Sequence, residues 1–293
     1  MSRIMHKSSF ERLAILTSVE EKSRALAWQE DEAIISLLKS EIDCEYLPWN
    51  HDFSKGSFSH VLIKSTWDYI HEPENFLEKL RAIKALGVQL INPLEHIEFN
   101  SDKKYLFRLA ESFPVIETLN YDPLKPVDFY RQSFNCDDLV IKPRISAGSY
   151  QTWLLRKSQD HDTLLRGIAC SMKDFIVQPF IPEIKDGEFS LVFIGGVFSH
   201  SVKKTPRAGD FRSQPEFGSM VHFVDLSNEI VSMAGEVVNQ FASDCFHARV
   251  DGIITREGFK IIELELIEPS LFLQNDILQQ RYTGSLLARL QAR

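Results

Sequence analysis

The chain has 293 residues, and its 33 basic against 41 acidic side chains leave a net charge of −8, which argues against a dedicated nucleic-acid binder. Hydrophobic residues at 44% and charged residues at 25% exclude a disordered chain. No apolar run approaches the ~18–20 residues that cross a bilayer, and none follows the opening Met1-Ser2-Arg3-Ile4, so neither a membrane span nor a secretory signal is expected.

At about 150 residues per domain the length suggests roughly two domains. Residues 13–17 form a short apolar run and predict a buried strand. Ala33, Ile34, Leu37 and Leu38 then recur at helical spacing, and 46–48 is a short extended piece. A second buried strand is predicted over 60–64. Phe76, Leu77, Leu80 and Ile83 mark a helix that Gly87 stops, and 88–91 predicts a strand closed by Asn92-Pro93. Strand alternating with helix is the βαβ signature of an α/β unit with a parallel sheet.

After about residue 100 the pattern changes. A helix is predicted over 102–113, before Pro114. Strands are predicted over 139–142, 152–155, 176–178, 189–194, 197–203, 247–254 and 259–266, with helices near 162–171 and 226–241. Runs of strands with occasional helices read as α+β with antiparallel sheet. Pro206, Gly209, Pro215 and Gly218 make 205–220 a long loop, and loops of that length are often functional.

The most informative stretch is 248–266, a hairpin with its turn at Arg256-Glu257-Gly258. Pairing symmetrical about 257 sets Asp251 opposite Glu263 and Arg249 opposite Glu265. All four then share one face, while Val250, Ile262, Leu264 and Leu266 share the other. Carboxylates so close repel one another, and a divalent cation with oxygen ligands, Mg²⁺ or Mn²⁺, relieves that. The alternative is an exposed polar face neutralised by Arg249.

Four further stretches are candidates. Lys142 ends a strand and precedes Ser146-Ala147-Gly148-Ser149, a small-residue loop whose N–H groups can approach phosphates, or an ordinary turn. Strand 175–179 runs into a proline-interrupted segment that could expose backbone to a planar ring, with Glu188 beyond it to accept from ribose, or simply joins two core elements. Lys203, Lys204, Arg207 and Arg212 cluster as an anion site or a solvated basic loop. Lys64, Trp67, Asp68 and Tyr69 follow a strand end, where open α/β sheets bind ligands, or pack at the sheet edge. No GxSxG, HExxH or GxGxxG occurs. Cys44, Cys136, Cys170 and Cys245 are scattered without CxxC, which argues against structural zinc and fits buried, reduced thiols in a cytosol.

In this order the stretches resemble the ATP-grasp superfamily, in the branch of bacterial glutathione synthetase, the RimK-type ligases and the D-cycloserine-forming cyclo-ligase. The resemblance runs from about Ile63 to Leu273. It is carried by Ser65-Thr-Trp-Asp-Tyr69, Asn100-Ser-Asp-Lys-Lys-Tyr-Leu106, Val140-Ile-Lys-Pro143, Gln178-Pro-Phe180, Phe198-Ser-His200, Gly209-Asp-Phe-Arg212, Ala248-Arg-Val-Asp251 and the run from Glu263 to Phe272.

The resemblance implies a Rossmann-like domain over 1–100, then two ATP-grasp subdomains over 101–176 and 177–293. It implies an ATP site with Mg²⁺ or Mn²⁺. Lys103 and Lys142 would hold phosphates, under a loop with Ser146, Gly148 and Ser149. Gln178, Phe180 and Ile181 would flank adenine, with Glu188 on the ribose and Lys203 also at the nucleotide. Arg212 and Arg249 would sit at the γ-phosphate and acyl-phosphate, and Asp251, Glu263 and Glu265 would bind metal. Bacterial glutathione synthetase has Asn at the Glu265 position and several glycines in the loop that here has Gly148. The expected reaction is carboxylate–amine ligation of small molecules through an acyl-phosphate, with ADP and phosphate released. Alternatives are an intramolecular cyclo-ligase or a nucleotide-binding regulator without turnover. A cytosolic homodimer or homotetramer is the expected form.

Overall fold

The computed structural model describes residues 12–55, 58–214 and 217–292. The opening segment, read above as lacking a secretory signal, and Pro215 lie outside the described residues. Strands β1 (Arg12–Thr17), β2 (Asp43–Pro48), β3 (His60–Ser65) and β4 (Gln89–Ile91) form a parallel sheet in the order β2-β1-β3-β4. Helices α1 (Glu21–Glu41) and α2 (Pro73–Ala85) are its crossovers. Side chains alternate across a strand. Leu13, Ile15 and Leu62 therefore pack with Ile34, Ile35 and Leu38 of α1. Ala14, Leu16, Val61 and Ile63 pack on the other face with Phe76, Leu80 and Ile83 of α2.

Beyond the sheet, the helix predicted over 102–113 is only the short α4 (Tyr105–Leu109), and an unpredicted helix, α3 (Leu94–Asn100), precedes it. The break between the two has a cause: the Lys103 N–H donates to the Arg144 carbonyl at 2.9 Å, not to a helix carbonyl.

A second sheet combines β5 (Leu119–Asn120), β6 (Leu139–Pro143), β7 (Trp153–Leu155) and β8 (Phe175–Pro179), antiparallel in the order β5-β8-β6-β7. Helices α5 (Val127–Phe134) and α6 (Asp162–Ala169) cover it through Tyr130 and Ile168. The third sheet is antiparallel in the order β11-β10-β9-β12-β13. Its strands are β9 (Glu188–Ile194), β10 (Val197–Thr205), β11 (Met220–Phe223), β12 (His247–Thr255) and β13 (Gly258–Glu265), and α7 (Asn228–Phe241) covers one face. The last helix, α8 (Asp276–Gln291), returns to the first sheet. Its Leu278, Tyr282, Leu286 and Leu290 share one core with Leu13 and Ile15 of β1, so the C-terminal segment completes the N-terminal unit.

Two side chains from the N-terminal unit fix it to the third sheet. Asn92, fully buried, donates to the His247 and Leu266 carbonyls and accepts from the Phe246 and His247 N–H groups. Asn100 donates to the Leu264 carbonyl and accepts from the Leu266 N–H, which satisfies the open edge of β13 as a neighbouring strand would. Among the described residues no helix is long and apolar enough to cross a membrane. All four cysteines are free. Cys44 and Cys245 are buried, but Cys170 is exposed, against the expectation of buried thiols.

Candidate active site

The second and third sheets meet the helix and loop residues of the N-terminal unit at a cleft of about 330 Å³, within the size range of small-molecule sites. One end is apolar. Phe180, Ile181, Phe211 and Ile262 pack around Ile116, Ile184 and Ile253, and the Phe180 and Phe211 rings meet edge to face at 6.2 Å. Gln178 lines this end, its amide donating to Thr118 Oγ1 at 2.9 Å.

The hairpin β12–β13 supplies the acidic wall. Asp251 faces Glu263 and Arg249 faces Glu265, as the sequence predicts. The route to that register differs. Thr255 pairs with Gly258 across a two-residue turn, and a bulge between Asp251 and Gly252 absorbs one extra residue of β13. The bulge overturns the placement of Ile262 on the face away from the carboxylates, because Ile262 lines the cleft beside Glu263.

The repulsion among the carboxylates is relieved here by fixed cations. Arg249 donates to both Asp251 oxygens at 2.9 and 2.8 Å and to Glu265 at 2.5 Å. Lys204 bridges Glu188 and Asp251, the latter at 3.3 Å. Lys103 Nζ lies 2.9 Å from Glu263 Oε1 and donates to the Ser146 carbonyl at 2.6 Å. Burial opposes the charge on Asp251, but Arg249 and Lys204 outweigh it and hold the carboxyl far below its usual range. Burial, with Asp251 and Glu263 adding to it, lifts Glu265 to about 7. Among the described residues no three His, Cys, Asp or Glu side chains could hold a metal ion by themselves.

Facing the acidic wall is Lys142. It is 8% exposed, lines the cleft, and has no hydrogen-bond acceptor among the described residues. Burial lowers its pKa, with Lys103 acting the same way. The adjoining loop holds Gly148 and Ser149 at φ 56° and 57°. Ser149 Oγ donates to Gln214 at 2.7 Å, which ties this loop to the loop after β10. On that second loop Arg212 lines the cleft, paired with Asp210 and stacked 3.6 Å over Phe217.

Most of the expected residues meet in this cleft: Lys103, Lys142, Ser146, Gly148, Ser149, Gln178, Phe180, Ile181, Glu188, Arg212, Arg249, Asp251, Glu263, Glu265, Trp67 and Tyr69. Three do not. Lys203 points away, its stem over Gly187 and its ammonium 5.8 Å from the Phe189 ring, while its neighbour Lys204 enters the cleft. Lys64 is buried inside the N-terminal unit, 3.1 Å from both Glu30 and Asp31. Asp68 accepts from the Val19 and Glu20 N–H groups and from Trp49 Nε1, so it holds the turn that leads into α1 rather than lining the cleft. Glu188 reaches the cleft but already takes Lys204 and Ser213. Sequence reasoning counts Lys204 only as one of four clustered cations and gives Asn92, Asn100 and Glu268 no role of their own.

Comparison with known proteins adds the following. Residues 125–272 match the family model described as the ATP-grasp domain of prokaryotic glutathione synthetase. Residues 13–92 match the N-terminal domain of D-cycloserine synthetase DcsG. The chain is 27% identical over 173 residues to the cycloserine biosynthesis protein DcsG of Streptomyces lavendulae, covering 55% of this chain and 56% of that protein. It is 25% identical over 167 residues to a glutathione synthetase of Prochlorococcus marinus subsp. pastoris, covering 56% and 53%. The chain thus spans about half the length of the curated relatives it matches. A crystal structure of D-cycloserine synthetase DcsG superposes with a TM-score of 0.81 over 96% of this chain and all of that one, at 23% identity, which establishes a shared fold.

Proposed function

The chain belongs to the family defined by the ATP-grasp domain of prokaryotic glutathione synthetase, and from that premise we propose that it is an ATP-dependent carboxylate–amine ligase acting on small molecules. The observation that carries this reading is Lys142, a buried ammonium turned into the cleft with no acceptor of its own. Such a charge calls for an anion. Lys103 and the loop through Gly148 stand beside it, and the apolar slot at Phe180, Ile181 and Ile262 offers a planar base its faces.

The chemistry follows from charge. A carboxylate is a poor electrophile until transfer of a γ-phosphoryl group makes it an acyl-phosphate, which an amine then attacks. Positioning and charge stabilisation do most of that work. Lys103 and Lys142 would hold the phosphates, and Arg212 and Arg249 would steady charge at the transferring group. Glu263 and Glu265, with side chains 24% and 28% exposed, reach the cleft, and Asp251 stands behind them. Their oxygen-only chemistry fits Mg²⁺ or Mn²⁺, with nucleotide oxygens completing the set. The metal, when bound, neutralises phosphate charge. Closure of the loops joined by Ser149 and Gln214 would shield an acyl-phosphate from water.

A second reading, an intramolecular cyclo-ligase, is favoured by the match of residues 13–92 to the N-terminal domain of D-cycloserine synthetase. The test is ADP release with a panel of carboxylates and amines, with hydroxylamine as trap. ADP release that needs a carboxylate, with hydroxamate formed, supports ligation. A product at the substrate mass less one water supports cyclisation. No carboxylate-dependent ADP release across the panel overturns both.

A further inference from the structure

Every other carboxylate of the cleft has a cation or hydroxyl bonded to it: Asp251 has Arg249 and Lys204, Glu188 has Lys204 and Ser213, Glu263 has Lys103, and Glu265 has Arg249. Glu268 has none. It lies just past β13, is 8% exposed and lines the same cleft, yet no group among the described residues donates to its carboxylate. Burial pushes its pKa well above the usual range, and the charge on Glu265 adds to this.

The backbone that carries Glu268 is tied down. Its carbonyl accepts from Trp67 Nε1 at 3.1 Å, and Pro269 follows. Arg249 donates to the Ser270 carbonyl at 2.9 Å, and the Leu271 N–H donates to Glu30 at 2.9 Å. Burial without a donor disfavours the charged form of Glu268, and a ligand that brings a cation to the cleft restores it.

The surroundings say which cation. Beside Glu268 the N-terminal unit contributes Trp67, bonded to its carbonyl, and Tyr69, whose hydroxyl feels its charge, both lining the cleft. Aromatic faces suit an organic ammonium, whereas a hard metal ion seeks several oxygens.

We propose that Glu268 is a substrate-binding residue that selects a primary ammonium group, holding it against Trp67 and Tyr69, so that the substrate must carry a cationic amine. This rests on the ligase reading of the cleft. The substrate class narrows accordingly: a neutral hydroxyl or amide in the same place does not restore the charged form of Glu268 and binds more weakly.

The probes are alaninamide and its neutral counterpart lactamide. Both are titrated by ligand-observed NMR against the full chain with Mg²⁺ and a non-hydrolysable ATP analogue. Analogue affinity and thermal midpoint are measured on the same samples. Native protein is expected to bind alaninamide at least tenfold more tightly than lactamide, and Glu268→Gln to lose that preference while keeping its analogue affinity. Equal binding of the two probes by native protein overturns the proposal without any variant. So does an unchanged preference in Glu268→Gln, or loss of analogue affinity in that variant, which would make Glu268 part of the nucleotide site. Native protein that binds the analogue but not alaninamide sinks the Glu268 proposal alone. Native protein that binds neither sinks the ligase reading with it.

Discussion

Two adjacent lysines give a sharp test of the site. Lys204 is 3% exposed and is the cation shared by Glu188 and Asp251, whereas Lys203 lies over Gly187 and touches no carboxylate of the cleft. Lys204→Met keeps roughly the stem volume and removes the charge, leaving two buried carboxylates short of a partner. Breaking a buried pair from one side costs about 3–5 kcal/mol. Arg249 still serves Asp251, so the lower end, about 3 kcal/mol, is expected. Lys203→Met lies outside the network and should change stability by no more than about 0.5 kcal/mol. Urea denaturation of both variants, read by circular dichroism, makes the comparison. The affinity for an ATP analogue should fall in Lys204→Met and stay at the native value in Lys203→Met. Equal stability losses, or a larger effect at Lys203, would refute the assignment of Lys204 to the cleft.

Other outcomes follow from single contacts. In Gly252→Ala the new Cβ would stand 2.2 Å from Phe259 Cζ and 2.7 Å from the Lys260 carbonyl oxygen. Backbone cannot yield as a flexible side chain does, so destabilisation of about 2–3 kcal/mol in urea is expected. Asn92→Asp keeps the oxygen that accepts from Phe246 and His247 but sets an anionic oxygen against the His247 and Leu266 carbonyls. A loss of about 3 kcal/mol or more is expected in the same assay. His247 is buried, and desolvation, aided by Lys64, lowers its pKa to about 3. The unfolded chain binds this proton below about 6.5 and the folded one does not, so stability is full above that pH and falls as pH drops toward 3. By pH 5 the linkage amounts to about 2 kcal/mol. Native protein should therefore lose more stability between pH 7 and 5 than His247→Gln, and parallel losses would contradict the assignment.

The parts of the fold legible in the sequence are those set by local pattern. Alternation of buried strands and amphipathic helices marks the parallel unit, and each central strand appears within a residue or two of its place. Long-range effects were harder to see. In α8 the buried apolar residues recur only at every fourth position, Leu278, Tyr282, Leu286 and Leu290, with Ile277 exposed beside the first of them. The surface they bury lies on β1 and α1, more than two hundred residues earlier in the chain. Asn92 and Asn100 act through backbone groups about 150 residues away, which no spacing announces.

At the site, register was the deciding matter. Asp251 and Glu263 were correctly opposed only because a shorter turn and a bulge cancel, and the same bulge misplaced Ile262. Ser199 is an extra residue of β10 where its pairing with β9 shifts, and the shift helps decide which of two adjacent lysines turns inward. Lys204 stands in the sequence as one of four clustered cations, and its pairing with Glu188 and Asp251 becomes visible only once those carboxylates are in place. The missing partner of Glu268, likewise, appears only when all others are counted.

The central claim is that this cleft takes a nucleotide with a divalent cation between Lys142 and the Asp251, Glu263 and Glu265 wall. Calorimetric titration of a non-hydrolysable ATP analogue, with and without Mg²⁺, on native protein and Glu263→Gln tests it most directly. The account predicts binding that requires Mg²⁺ and weakens at least tenfold in the variant. Metal-independent binding of equal strength in both proteins, or no binding by the native chain, would contradict it.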